Sequence, residues 1–213
     1  MDDGVRAELP DGVRAARRED APALARVLAR AFREDPFHRW LFPSERAWRW
    51  RSHRSFAALL RVYVARETVF TTRHGEGAAI WISPHPPRPT PREELGLALR
   101  FLPLLGTRMR LGMEGFRRIG AAHPREPHWY LAVLGTDPPH QGRGAGSALV
   151  EAMLARADAE GLPAYLEASR AENVPYYERF GFRVLQEVRM PRDGPSVWAM
   201  LREVEAGARR RAP

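Results

Sequence analysis

The chain of 213 residues contains no cysteine, and all 34 of its strong bases are arginine. Without cysteine there are no disulfides, no thiol nucleophile and no cysteine-ligated zinc, and the redox compartment is left undecided. Without lysine there is no phosphate-binding loop of the G-K-[ST] type. No apolar run approaches the roughly 20 residues of a membrane span. The acidic start MDDGVRAELPDG lacks the apolar core of a signal peptide. Seven scattered histidines form no metal-ligand spacing. A cytoplasmic protein with no metal and no membrane contact is expected.

The charge is one-sided, with a formal net charge of +8 and a pI near 10.9. The arginines are spread along the chain, and only Arg209, Arg210 and Arg211 cluster. No zinc-finger, RNA-binding or heptad pattern accompanies them, so no nucleic-acid partner is expected. An anionic small ligand suits the charge better. At 44% hydrophobic content the chain supports a full core. Residues 1–11 read as disordered, 12–202 as a single domain and 203–213 as an arginine-rich tail.

The most informative stretch is WYLAVLGTDPPHQGRGAGSAL, Trp129 to Leu149. Trp129 to Leu134 is apolar, β-branched or aromatic, as in a buried strand. Asp137-Pro138-Pro139 ends it, because proline extends neither a sheet nor a helix interior. Gln141-Gly142-Arg143-Gly144-Ala145-Gly146 then opens a helix that runs from Ser147 to Glu160. Glycines before a helix let backbone N–H groups converge on an anion, at the positive end of the helix dipole. The glycines alternate and do not follow G-x-G-x-x-G, so a Rossmann fingerprint is not matched.

Around this stretch the pattern alternates strands and helices. Gly12 to Arg17 reads as a strand. Residues 21–33 read as an amphipathic helix capped by Asp20. Asp35-Pro36 breaks that helix, and Phe37 to Pro43 is dense in aromatics. Two readings of the aromatic stretch stay open, core lid or pocket wall. A helix from Ser44 to about Ala65 and a hairpin over 67–83 follow. A five-proline connector covers 84–91, and 92–121 reads as two or three short helices near the acceptor side. The last pieces are a strand at 164–168, a short helix at 172–180 and a hairpin over 182–202.

Three blocks stand in a telling order: Gln141 to Gly146, then Leu166-Glu167-Ala168-Ser169, then Asn173 with Tyr177-Glu178-Arg179-Phe180-Gly181-Phe182. Together they resemble the acyl-coenzyme A signature of the GNAT N-acetyltransferase superfamily. From His123 to Arg202 the chain is also similar to the puromycin N-acetyltransferases within it. The likeness thins before His123, where such enzymes build much of the acceptor side.

The resemblance implies the GNAT fold, an α/β (α+β) architecture. Its mixed central sheet is splayed between the fourth and fifth strands, with helices on both faces. It implies acetyl-coenzyme A as cosubstrate and a small amine as acceptor, in a monomer or homodimer. Leu134, Gly135, Thr136, Gln141, Gly142, Arg143, Gly144, Ala145, Gly146 and Asn173 would bind the coenzyme. Tyr177 is the implied acid for the departing thiolate; a phenol is protonated at neutral pH. Glu167 is the expected base or water-orienting group. Phe37, Trp40, Trp81 and Glu167 are expected at the acceptor. A puromycin-like antibiotic is one acceptor. The alternatives are a peptide or protein N-terminus, or a non-catalytic acyl-coenzyme A sensor.

Overall fold

A computed structural model describes residues 12–85 and 90–204. The calls of disorder for 1–11 and of an arginine-rich tail fall outside them, except for Glu203 and Val204. One seven-stranded sheet organises the chain, in the order β1-β2-β3-β4-β5-β7-β6. The strands are β1 (Val13–Ala15), β2 (Val69–Thr72), β3 (Gly77–Ile82), β4 (Trp129–Thr136), β5 (Ala164–Ala168), β6 (Arg183–Arg189) and β7 (Ser196–Arg202). Neighbours are antiparallel except β4 and β5, which run parallel. A parallel pair needs a crossover, and α6 (Ala145–Ala159) supplies it.

The remaining helices are α1 (Ala21–Ala31), α2 (Pro36–Leu41), α3 (Glu45–Tyr63), α4 (Pro91–Leu105), α5 (Met109–Ala122) and α7 (Val174–Glu178). Strand alternation divides them between two faces. Ala79, Trp81, Trp129 and Leu131 pack with Leu149, Val150 and Met153 of α6. Ala78, Ile80 and Val133 pack with Leu24 and Leu28 of α1 and with Phe56 and Leu60 of α3. A third cluster joins Phe37, Leu41, Leu105 and Ala122 to Tyr165, Val197 and Ala199.

Several local expectations change. The aromatic stretch after Asp35 is a helix of its own, α2. Asp35 caps it, its side chain accepting from the His38 N–H. Asp20 does not cap α1; its carboxylate takes the Arg17 N–H and the Arg14 guanidinium while residues 18–20 form a 3-10 turn. Helix α6 starts at Ala145, two residues earlier than the glycine pattern suggests. Helix α4 carries Pro103 in its interior, and a single 3-10 turn joins it to α5.

The most consequential departure lies in β4. Trp81 pairs with Leu131 and Ile80 with Val133, so Ala132 is an extra residue, a β-bulge. Ala132 and Val133 consequently point to the α1 face while Leu131 and Leu134 point to the α6 face. Simple alternation cannot be read through such a stretch.

Candidate active site

The β4–β5 ladder is short. Trp129, Tyr130 and Leu131 pair with Ala164, Tyr165 and Leu166, and the pairing stops there. Both strands continue, β4 to Thr136 and β5 to Ala168. The sheet opens where the bulge bends β4 away, so the β5-facing edge of 132–136 has no ladder partner. A cleft of about 1030 Å3 occupies the opening.

One end of the cleft is backbone. Gly142 (φ +74°) and Gly144 (φ +85°) take the left-handed conformation that glycine adopts without strain. Gly144 is the α6 N-cap, and the first intrahelical bond runs from the Ala148 N–H to its carbonyl. The N–H groups of residues 145–147 thus have no intrahelical partner and sit at the positive end of a fifteen-residue helix. The Gln141 side chain donates to the Thr136 carbonyl at 3.0 Å, bracing the turn against the end of β4. Gly146 leaves room for Tyr176, whose hydroxyl lies 3.0 Å from where a Cβ would be.

The middle of the cleft is β4 itself. A Cβ at Gly135 would stand 2.9 Å from Leu28, 3.0 Å from Phe32 and 3.1 Å from Ala31. This glycine is therefore required by the seat of α1 on the strand. Arg30 of α1 holds Asp137 through two bonds of 2.8 and 2.6 Å, fixing the loop that follows.

The far end is made of side chains. Tyr177 of α7 is 9% exposed and lines the cleft. Burial, with Tyr176 and the Asp35 charge adding to it, raises its hydroxyl pKa well above the ordinary phenol range. Asn173 lines the cleft too; its side chain makes no cap bond to α7, so capping does not consume it. Glu167 of β5 accepts from the Tyr130 hydroxyl at 2.8 Å, and its other oxygen lies 2.8 Å from His123 Nε2. Burial first, then the Glu167 charge, pushes the Tyr130 and Tyr165 hydroxyls up.

Most expected residues meet here. Leu134, Gly135, Thr136, Gln141, Gly142, Gly144, Ala145, Gly146, Asn173, Glu167, Tyr177 and Phe37 all line the one cleft. Arg143 is exposed at the turn and does not line it. Two acceptor expectations are corrected. Trp81 is fully buried under α6, in the core with Trp129. Trp40 packs away from the cleft, its ring filling the space beside Gly115 and Gly194.

Sequence reasoning passed over two groups. Asp35 and His38 line the cleft, and the Ser169 hydroxyl donates to Asp35 from the end of β5. Phe101 and Phe116 also line it, with Phe116 stacked edge-on to Phe37 at 5.8 Å. The Asp-Pro helix break was visible, but not the partner at residue 169.

A parallel pair that splays beside a bulge, with a glycine turn at the head of the crossover helix, decides the class. The fold is that of the GNAT acetyltransferases. A profile of the Acetyltransferase (GNAT) family matches residues 110–182. An uncharacterized N-acetyltransferase of Schizosaccharomyces pombe is 42% identical over 84 residues, 38% of this chain and 34% of that relative. The match thus spans only about a third of the curated relative's length. The crystal structure of histone acetyltransferase HPA2 and related acetyltransferase from Corynebacterium glutamicum superposes with a TM-score of 0.61 at 27% identity, covering 91% of this chain and 96% of that one. A Drosophila melanogaster polyamine N-acetyltransferase, 18% identical, shares the fold with a TM-score of 0.55 over 90% of this chain and 99% of its own. These findings support an acyltransferase enzyme of the GNAT type. Among the described residues no helix is long and apolar enough to cross a membrane, and no cluster of three or more His, Cys, Asp or Glu could hold a metal ion.

Proposed function

We propose that the chain is an N-acetyltransferase that moves the acetyl group of acetyl-coenzyme A to a primary amine of a small molecule, with both bound at once. One observation carries the reading. A single cleft joins the free amides at the head of α6, the unpaired edge of β4 and the Tyr177 side chain.

The amides of 145–147 and the turn at 141–146 would hold the pyrophosphate. The open edge of β4 from Ala132 to Thr136 offers backbone groups to the pantetheine arm, and Asn173 a side-chain amide. The acetyl thioester supplies an acyl carbon already activated toward amines. This chain's residues then position and exchange protons. A β4 N–H near Gly135 faces a carbonyl that gains negative charge, a large term where water is excluded. Tyr177, kept protonated by burial, stands ready to donate to sulfur.

On the acceptor side, Phe37, Phe101 and Phe116 give an aromatic wall. Glu167 adds a carboxylate among Tyr130 and His123. A flat, partly apolar amine suits that combination, such as a puromycin-like aminonucleoside or another antibiotic. A role in antibiotic resistance follows from that choice.

The test has two stages. Acetyl-coenzyme A should raise the melting temperature of the purified chain. Free-thiol release is then followed with puromycin, agmatine, an arylalkylamine and a peptide N-terminus as acceptors. Release with a small amine supports the proposal, and release only with the peptide points to protein acetylation. Stabilisation without turnover on any amine overturns the enzymatic reading and leaves a coenzyme sensor.

A further inference from the structure

The head of α2 places a carboxylate and an imidazole together inside the cleft, and neither has a part in the coenzyme site. Asp35 is only 5% exposed. Its Oδ1 lies 2.8 Å from His38 Nδ1 and accepts the His38 backbone N–H at 2.9 Å. Its Oδ2 accepts from Ser169, the residue just past β5. Arg170 donates to the Glu34 carbonyl, a second tie between the same two loops. The pair is therefore fixed to the strand end that forms one wall of the opening.

The ring of His38 is fixed as well. Phe32 lies 4.5 Å away, and Phe56 stacks on it at 5.4 Å. Trp48 closes one edge at 6.4 Å, and Phe37 stands edge-on at 5.8 Å. Every listed ring neighbour is apolar or aromatic, so Asp35 is the one charged group that bonds the imidazole among the described residues. Burial pushes the Asp35 carboxyl up, yet the His38 ring and amide and the Ser169 hydroxyl outweigh it. The carboxyl stays below its ordinary value. An ionised carboxylate only accepts, so Nδ1 carries the proton in neutral His38 and Nε2 keeps a lone pair. No hydrogen bond from Nε2 is present among the described residues, and the side chain lines the cleft. The Asp35 charge also reaches Tyr177, where it favours the protonated phenol.

We infer that His38, oriented by Asp35 and Ser169, is the base that takes the proton from the acceptor amine, with Glu167 left to bind that acceptor. This rests on the acetyltransferase reading above and adds the base to it. The balance is simple. The amine nitrogen bonds to the acyl carbon, and the carbon–sulfur bond breaks. His38 Nε2 takes one proton from nitrogen, and Tyr177 gives one to the thiolate. His38 then loses its proton to solvent, and Tyr177 regains one. A base positioned by a buried third group is a recurring arrangement for activating a nucleophile. Glu167 is less suited to the task, because the Tyr130 hydroxyl and His123 already crowd both its oxygens.

The test uses His38→Gln, His38→Ala and Asp35→Asn, with the best amine found in the thiol-release panel. His38→Gln should lose about 100-fold in kcat/KM for the amine. Its melting temperature shift with acetyl-coenzyme A should match the wild type. The acidic limb of the kcat/KM–pH profile should vanish in His38→Gln and move in Asp35→Asn. Added imidazole should restore part of the activity of His38→Ala. In parallel, the ring nitrogens of His38 are observed by NMR in the free protein. A protonated Nδ1 and a bare Nε2 support the dyad whatever the amine, so this arm stands even if no panel amine is acetylated. A kcat/KM within threefold of wild type in His38→Gln, a persistent acidic limb, or a protonated Nε2 in neutral His38 overturns the inference.

Discussion

The two ends of the cleft offer a ligand different materials. At the α6 end the contacts are backbone, with free amides held by Gly142, Gly144 and the brace from Gln141. At the α2 end they are side chains, drawn from α2, α5, α7, β4 and β5. A backbone site needs only one contiguous turn with the right glycines, and its geometry is indifferent to most neighbouring side chains. A side-chain site needs residues up to 134 positions apart, as Asp35 and Ser169 are, brought within bonding distance. The first suits a ligand that stays constant, and the second one that differs from enzyme to enzyme.

That contrast can be tested by breaking each end separately. The largest effect is expected at the junction. Tyr177→Phe should lower kcat about 100-fold in steady-state thiol release, with little change in acetyl-coenzyme A binding. Unaltered turnover would remove the acid role. Next, Gly135→Ala should cost about 1–3 kcal/mol of stability in denaturant unfolding, because the new methyl enters the space held by Leu28, Phe32 and Ala31. Gly144→Val isolates the backbone end. No atom lies within 4 Å of its Cβ position, so the substitution strains only the left-handed backbone. That strain is roughly 1–2 kcal/mol. Calorimetric affinity for acetyl-coenzyme A should fall about tenfold while the acceptor KM stays put.

The smallest effect concerns acid. The folded Asp35 carboxyl lies below its ordinary value, so its contribution is complete above the unfolded value of about 3.9. It is lost as pH falls through the folded value. Melting temperature should therefore drop below about pH 4 in the wild type, and the drop should be blunted in Asp35→Asn.

The same contrast explains what could be read from the chain before its structure. The turn at 141–146 was legible because proline, glycine and helix signals are local. The order of strands and helices followed from similarly local patterns, and so did the splay once the three blocks were joined. The α2 helix was missed because Asp-Pro and a run of aromatics end one helix without announcing another. The bulge at Ala132 was invisible, since WYLAVLGT reads as an uninterrupted apolar strand. Trp81 was misplaced at the acceptor because a tryptophan on a strand does not say which face it joins; the face under α6 is dry core. The family profile begins at residue 110, which leaves most of the α2 end unread by likeness as well.

The bulge also separates folding from activity at a single codon. Removing Ala132 would leave Leu131 opposite Trp81 and Val133 opposite Ile80, a regular ladder with both core phases intact. Such a deletion should yield a protein that still assembles its sheet but whose fourth strand no longer bends from its neighbour. A lineage could thus lose catalysis without losing the scaffold, and a designer could use the same edit to make an inert but well-folded control.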